Sequence, residues 1–194
     1  MKRFCVKYGM LIVITLSMAA AGWGLAYAML DADKTVTVDC RGRNIDVESL
    51  RRMEQQQKDG YLGLVGIAGW RVEDQGEVTS VSTGKRQRTK VTGVYGPMDM
   101  VYPAKILSGS YGLAVERGYC VLSEGLAYEL FGDTDIAGEQ CRFGGEILTV
   151  AGVIEKKEMI LMRPVTEGRM EQLSLEFKSR RNMEKKVKEL LGEF

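Results

Sequence analysis

The feature that most constrains this fold is an apolar stretch near the N-terminus. The residues from Gly9 to Leu30, GMLIVITLSMAAAGWGLAYAML, include no charged side chain. A helix needs about 20 predominantly apolar residues to cross a bilayer, so this stretch is long enough to do so. We therefore predict that residues 1–30 comprise a short cytoplasmic flank and a transmembrane anchor.

The charges on the two sides of this stretch predict its orientation. Basic residues are enriched on the cytoplasmic side of a membrane helix, and here they precede the stretch while acidic residues follow it. We therefore expect residues 31–194 to be extracytoplasmic. The flanking charges are Lys2, Arg3 and Lys7 on one side and Asp31 and Asp33 on the other.

A cleaved signal peptide is the alternative interpretation of the same segment. Ala26-Tyr27-Ala28 has the small-x-small form of a cleavage site. We favour an anchor because the apolar region of a signal peptide is usually only about 7 to 15 residues long. Both interpretations export the rest of the chain.

Small residues line one face of the expected membrane helix. Ala20, Gly24 and Ala28 recur at every fourth position, and such a face lets a second helix approach closely. The alternative is a chance occurrence, because small residues are common in membrane helices. These three residues are the candidate partner-facing site.

The composition excludes several kinds of chemistry. The chain has no histidine, so it offers no imidazole for acid–base catalysis or metal binding. Its formal net charge is only +1, which gives no reason to expect nucleic acid as a partner. We expect a non-catalytic protein without a cofactor or a bound metal ion.

Three cysteines fall in the part that we expect to be exported, and they are Cys40, Cys120 and Cys141. At most one internal disulfide can form among three cysteines. The chain has no CxxC spacing, which argues against a zinc site. We predict that Cys120 and Cys141 stay free, because their strands look core-facing and a buried thiol packs as a small apolar group.

Residues 34–73 have the pattern of a strand, a helix and a second strand. KTVTVDC alternates like a strand, Asp46 is suited to cap a helix through VESLRRMEQQQK, and Gly60 is suited to end it. LVGIAGWRVE is predicted to be a largely buried strand with a bulge at Gly69. A hairpin then follows through EVTSVSTGKRQRTKVTGVY and turns at Thr83 to Lys85.

The middle of the chain alternates strands with one helix. GPMDMVYPAKILSGSYG is predicted to form a short helical turn and a connection. GYCVLS is a short buried strand, and Ser123 and Gly132 are placed to cap and end the helix EGLAYELF. EQCRF and EILTVAGVIE form a hairpin that buries Ile147, Val150 and Val153.

The C-terminal part combines two strands with an amphipathic helix. EMILMR and MEQLSLEFK are the strands, and the second presents Leu173, Leu175 and Phe177 on one face. Asn182 is predicted to cap the last helix. The apolar stripe of that helix consists of Met183, Val187, Leu190, Leu191 and Phe194.

The acidic loop DTDIAGE does not match a calcium-binding EF-hand. Asp133, Asp135 and Gly138 fit the first, third and sixth positions of such a loop. Ala137 occupies a ligand position, and Gly144 stands where a bidentate glutamate is required. A solvated turn is the expected structure.

Several of these segments resemble the periplasmic core domain of MacB-type ABC transporter permeases. The similarity is carried by ILSGSY, CVLSEGLAYELFG and AGEQCRFGGEILTVAGVIE. It is strongest over residues 119–154 and weaker but collinear from about residue 34 to residue 194. Gly109-Ser110-Tyr111 departs from the Gly-Arg-x-Phe that the family usually has after the connection.

The resemblance implies an α+β fold with two subdomains. A porter-like βαβ subdomain, at about 34–75 and 155–194, would be formed by both ends of the exported chain. An inserted β-rich subdomain would occupy about 76–154. Family permeases continue into three further membrane helices, whereas this sequence has no later apolar run that could span a bilayer and no G-x-x-x-x-G-K-[ST] phosphate loop.

Three functional hypotheses follow. The first is a membrane-anchored accessory or split subunit of a MacB-like exporter or mechanotransmission complex, with an ABC-type permease or ATPase as its partner. The second is a free-standing extracytoplasmic binding or sensing module. An enzyme is the least favoured, because without histidine only a cysteine or carboxylate mechanism is open.

Overall fold

The first strand lies at one end of a sheet that runs through the whole domain. The computed structural model describes residues 34–58, 63–179 and 181–192. Within these residues there are nine strands and three α-helices. The strands are β1 (Thr35–Asp39), β2 (Leu64–Ser80), β3 (Arg86–Tyr95), β4 (Ile106–Gly109), β5 (Tyr119–Ser123), β6 (Gln140–Phe143), β7 (Glu146–Ile154), β8 (Ile160–Pro164) and β9 (Gln172–Phe177). The helices are α1 (Val47–Lys58), α2 (Glu124–Phe131) and α3 (Met183–Gly192).

The beginning and the end of the described chain share one hydrophobic core. β9 pairs antiparallel with both β1 and β2, so β1 and β2 run parallel on either side of it, joined through α1. Leu50 of α1 and Leu190 of α3 are buried against this part of the sheet. Leu173, Leu175 and Phe177 face the same core, as the sequence predicts. We call this cluster the terminal core.

The expected bulge at Gly69 is wrong. Gly69 pairs regularly with Tyr95 on one side and Leu173 on the other. A Cβ atom at this position would overlap Leu50 and Met170. The glycine therefore serves the close approach of α1 to the sheet, and it does not interrupt the strand.

Residues 64–80 form one long strand, whereas we expected the second strand to end at Glu73 and a separate hairpin strand to follow. The register of β2 against β3 shifts between Glu73 and Gly76, so the irregularity lies here and not at Gly69. A second shift against β9 lies between Leu64 and Gly66. The β2–β3 hairpin turns near Thr83 to Lys85, as predicted.

Six strands close into a ring in the order β2, β3, β8, β5, β7 and β6. The ring closes because β6 pairs with β7 on one side and with the end of β2 on the other, where Ser80 lies opposite Cys141. Leu122 and Leu161 are fully buried in its interior, and Leu126 and Leu130 of α2 belong to the same cluster. We call this cluster the ring core.

The ends of α2 are those that the sequence predicts. The Ser123 hydroxyl accepts a hydrogen bond from the Leu126 N–H at 3.4 Å, and Gly132 ends the helix with a φ of 81°. Such a cap satisfies a donor that the first turn of a helix leaves unpaired. The same hydroxyl accepts from the Ile160 N–H at 3.0 Å, so Ser123 also ties α2 to β8.

Two further expectations need correction. Ile147 is 49% exposed, because successive residues of a strand point to opposite faces and Leu148 and Val150 occupy the inner face. The segment at residues 96–112 contains the expected helical turn, at Met98–Met100, but also the strand β4, which we did not predict.

The helix α3 begins at Met183, as expected, although Asn182 acts through its backbone. The Asn182 carbonyl accepts from the Lys186 N–H at 3.0 Å, and the residue has a φ of 60°, which asparagine tolerates better than most residues. Gly60 and Phe194 lie outside the described residues, so their predicted roles stay predictions. The subdomain boundary near residue 75 stays a prediction.

Candidate functional site

The small-residue face named from the sequence, Ala20, Gly24 and Ala28, lies outside the described residues. None of the helices within 34–58, 63–179 and 181–192 is long and apolar enough to cross a membrane. The expected anchor therefore stays a prediction. Within the described residues, the groups that could bind a partner or a ligand lie along the segment that joins β8 to β9.

A partly buried ion-pair network lies where β2 changes register. Glu73 has a side chain that is only 15% exposed, and it accepts from the Arg71 Nη2 at 3.0 Å and from the Arg163 Nε at 2.9 Å. Arg163 also reaches Glu146 at 3.4 Å. The network thus joins the long strand β2 to β8, and a single carboxylate serves two guanidinium groups.

A cleft of about 540 Å³ opens beside this network. We call it the β8 cleft. It is lined by Arg71, Arg117 and Arg163 together with Glu146 and Glu167. Its apolar lining includes Ile147, Leu148 and Val165. The cleft therefore combines cationic donors with an apolar wall.

A second cleft, of about 570 Å³, adjoins the first, because Arg71 and Glu167 line both. We call it the loop cleft, since it is formed mainly by the turn after β1 and the β8–β9 connection. Arg41 lies in it and donates to Asp39, and this hydrogen bond holds the pKa of the Asp39 carboxyl below its ordinary value. Burial raises the pKa of the Cys40 thiol, which also lines the cleft.

Gly168 leaves room for the guanidinium of Arg71, the arginine that the two clefts share. Its φ is 98°, and a Cβ atom there would overlap the guanidinium of Arg71. Arg71 also donates from Nη1 to the carbonyl of Glu167 at 2.9 Å. The β8–β9 connection therefore folds around this guanidinium.

The cysteine pair lies inside the ring. Cys120 on β5 and Cys141 on β6 are fully buried free thiols, and their Sγ atoms are 3.7 Å apart. The contact with Cys141 and burial together raise the pKa of Cys120 well above its ordinary value. This thiol is therefore a poor source of the thiolate that cysteine chemistry requires.

The acidic loop after α2 has structural partners. Asp133 accepts from the backbone N–H of Asp135 at 3.1 Å, and Asp135 accepts from the hydroxyl of Ser108 at 2.8 Å. Side-chain bonds of this kind are typical of aspartates in turns. The loop thereby fastens to β4.

Sequence reasoning missed the arginines of the two clefts. Arg71, Arg117 and Arg163 come from three distant parts of the chain, and none stands in a recognisable motif. Only the pairing of β2, β3 and β8 brings Arg71 and Arg163 to the same carboxylate. No local pattern could have pointed to this juxtaposition.

A family model described as the MacB-like periplasmic core domain matches residues 10–190. The chain belongs to this family. As a MacB-like periplasmic core domain it has a mixed α/β fold that is otherwise found in ABC-type transporter permeases. No curated protein sequence matches the chain at a significant level.

Solved structures have the same fold. The periplasmic region of MacB from Actinobacillus actinomycetemcomitans is 14% identical, with a TM-score of 0.66, and the match covers 81% of each chain. The extracellular domain of the noncanonic ABC-type transporter YknZ from Gram-positive bacteria is 16% identical, with a TM-score of 0.58. That match covers 75% of this chain and 81% of the other.

Proposed function

We propose that this protein is a non-catalytic, membrane-anchored subunit that docks with its extracytoplasmic domain onto an ABC-type permease or ATPase assembly. The observation that carries the proposal is the family match over residues 10–190. The similar structures are a periplasmic region and an extracellular domain, which supports an extracytoplasmic location. The apolar segment from Gly9 to Leu30 and its basic N-terminal flank support the anchor.

Two surfaces are suited to the docking contact. The first is the small-residue face at Ala20, Gly24 and Ala28, because small residues allow close helix packing in the bilayer. The second is β1, which pairs with β9 alone among the described strands. A strand with a free edge can pair with another chain. Only residues 31–34 separate β1 from the expected anchor along the chain.

Co-purification from membranes in mild detergent, with mass spectrometry of the associated proteins, tests the proposal. We expect the full chain to recover an ABC-type permease or ATPase and the variant Gly24→Leu to recover much less of it. Gly22→Leu is the matched control, because at 100° per residue position 22 lies on the opposite side of the helix. Recovery of the chain alone, or equal recovery with both variants, would contradict docking through this face.

The anchor has a test of its own. The intact mass of the membrane-extracted protein should include residues 1–28. A mature chain that begins at Met29 would show that the N-terminal segment is a cleaved signal peptide and not an anchor. Docking through β1 would then be the only part of the proposal left to test.

A free-standing binding module is the second candidate function. The two adjoining clefts, with arginines from several elements, are the observation in its favour. A chain that binds a ligand but recovers no transporter component would favour this candidate.

A further inference from the structure

The β8 cleft and the loop cleft adjoin through Arg71 and Glu167 and form one groove rich in arginine. Six arginines line it against three glutamates, in a chain whose formal net charge is only +1. The lining therefore has more arginines than carboxylates, although Asp39 and Glu73 offset part of this excess. We call this surface the arginine groove; its arginines are Arg41, Arg43, Arg71, Arg117, Arg163 and Arg169, and its glutamates are Glu146, Glu167 and Glu171.

Internal partners leave part of this charge uncompensated. Arg41 is paired with Asp39, and Arg71 and Arg163 share Glu73. The other three arginines have no carboxylate partner within the described residues. Arg43 donates to the carbonyl of Leu191, Arg117 donates to the hydroxyl of Thr166, and Arg169 has no side-chain partner among the described residues.

The uncompensated arginines lie in both clefts. Arg117 lines the β8 cleft, and Arg43 and Arg169 line the loop cleft. A guanidinium presents five N–H donors in a planar fork that matches phosphate oxygens two at a time. The guanidinium of Arg71 lines both clefts. An elongated ligand with an anionic group at each end would meet donors at both ends and in the middle.

We propose that the arginine groove binds a ligand that carries at least two phosphate groups, one in the β8 cleft near Arg117 and one in the loop cleft near Arg43 and Arg169. The ligand is either a soluble oligophosphate or a phospholipid headgroup. Ile147, which is 49% exposed, and Val165 give the β8 cleft an apolar wall that suits the second source. This inference goes beyond the docking function and does not depend on it.

Isothermal titration calorimetry on the full chain in detergent tests the proposal. The probes are inorganic orthophosphate, inorganic tripolyphosphate and a short-chain, water-soluble cardiolipin. We expect tripolyphosphate to bind at least tenfold more tightly than orthophosphate, because only the longer ion engages more than one position. Tighter binding of cardiolipin than of tripolyphosphate would assign the lipid source, and the reverse order would assign the soluble one.

Charge-removing variants decide whether binding occurs in the groove. Arg117→Gln and Arg169→Gln should each weaken tripolyphosphate binding roughly tenfold. This is the change in affinity expected when one charge-assisted hydrogen bond is lost. Both residues are exposed and pair with no carboxylate among the described residues, so the fold should not change. Arg88→Gln, an exposed arginine on β3 outside the groove, is the matched control and should change affinity less than twofold.

Three results would overturn the proposal. The first is no binding of tripolyphosphate or cardiolipin at millimolar concentration. The second is binding that both groove variants leave unchanged. The third is an equal loss of affinity in Arg88→Gln, which would indicate attraction by the overall charge and not by the groove.

Discussion

The strands around the ring core and those beside the terminal core differ in how their edges are paired. In the ring, each of the six strands has a neighbour on both sides. Beside the terminal core, the sheet ends in β1, which pairs with β9 alone. The ring strands therefore satisfy their backbone internally, whereas β1, like the short strand β4 that pairs with β7 alone, retains backbone groups that a second chain could pair with.

This difference suggests a division of labour between the two regions. A closed ring filled with apolar side chains is suited to be a stable scaffold. The open edge of β1 lies beside the terminal core, and the arginine groove extends from the ring strands β7 and β8 to the turn after β1. The long strand β2 contributes side chains to both cores. A displacement of one region can therefore be transmitted to the other through this strand.

The largest expected effect comes from cavities in the two cores. Leu161→Ala on β8 should lower the free energy of unfolding by about 4 kcal/mol, because ring strands held on both sides cannot relax into the space. Leu190→Ala on α3 should cost about 2 to 3 kcal/mol, because an end helix can shift towards the sheet. Urea unfolding followed by circular dichroism measures both, and the reverse order would break the comparison.

The ion-pair network at the register shift of β2 should give the next largest effect. Glu73→Gln leaves Arg71 and Arg163 without their shared carboxylate and should cost about 1 to 3 kcal/mol. Glu77→Gln is the control, since Glu77 is 55% exposed and lies 3.6 Å from Arg86, and it should cost at most about 0.5 kcal/mol. Equal costs for the two variants would show that the network does not hold β2 to β8.

The N-caps of α1 and α2 should differ in their response to pH. Removing either cap, by Asp46→Ala or Ser123→Ala, should cost about 1 kcal/mol at neutral pH. The backbone N–H and the hydroxyl of Ser49 donate to Asp46 and lower the pKa of its carboxyl. The stabilisation by the Asp46 cap is therefore complete above the pKa that an aspartate has in the unfolded chain, near 4. It is lost as the pH falls through the lower pKa that Asp46 has in the folded state.

Unfolding measurements at pH 7 and at pH 2 check this difference. The penalty of Asp46→Ala should shrink at the lower pH, whereas that of Ser123→Ala should stay constant, because a serine hydroxyl does not titrate. A parallel loss of both penalties would mean that acid destabilises the whole domain and does not act through the cap of α1.

The smallest expected effect concerns the cysteine pair. Cys120 and Cys141 lie on strands on opposite sides of β7. Both thiols are fully buried, and their Sγ atoms are 3.7 Å apart, well beyond the roughly 2.05 Å of a disulfide bond. Thiol counting on the unfolded, unreduced protein should find Cys40, Cys120 and Cys141 all free, and a deficit of two thiols would contradict this.

Local signals in the sequence predicted those elements whose ends have a chemical cause nearby. Ser123 and Gly132 define α2, and Asp46 begins α1, because capping depends on residues within one turn. Leu173 and Leu175 predicted the buried face of β9 through simple alternation. These predictions depend on local sequence alone and not on distant contacts.

The remaining features depend on pairings that are far apart in the sequence. The ring closes where Ser80 meets Cys141, and the groove forms where Arg71 and Arg117 reach the β8–β9 connection. The prediction that Ile147 is buried is wrong because it rests on a three-residue spacing with Val150 and Val153. Side chains on one face of a strand recur at every second residue. The bulge predicted at Gly69 is wrong because the glycine makes room for Leu50 of α1, which packs over the strand.

Site-specific photocrosslinking tests the central claim, which is that the open end of the sheet contacts a transporter partner and the ring does not. A photoreactive amino acid is placed at Thr35, which is exposed on β1, or at Arg88, which is exposed on the ring strand β3. Irradiation of intact cells should crosslink the Thr35 variant to an ABC-type permease or ATPase subunit and should give no such product at Arg88. The same product from Arg88, with none from Thr35, would contradict the account.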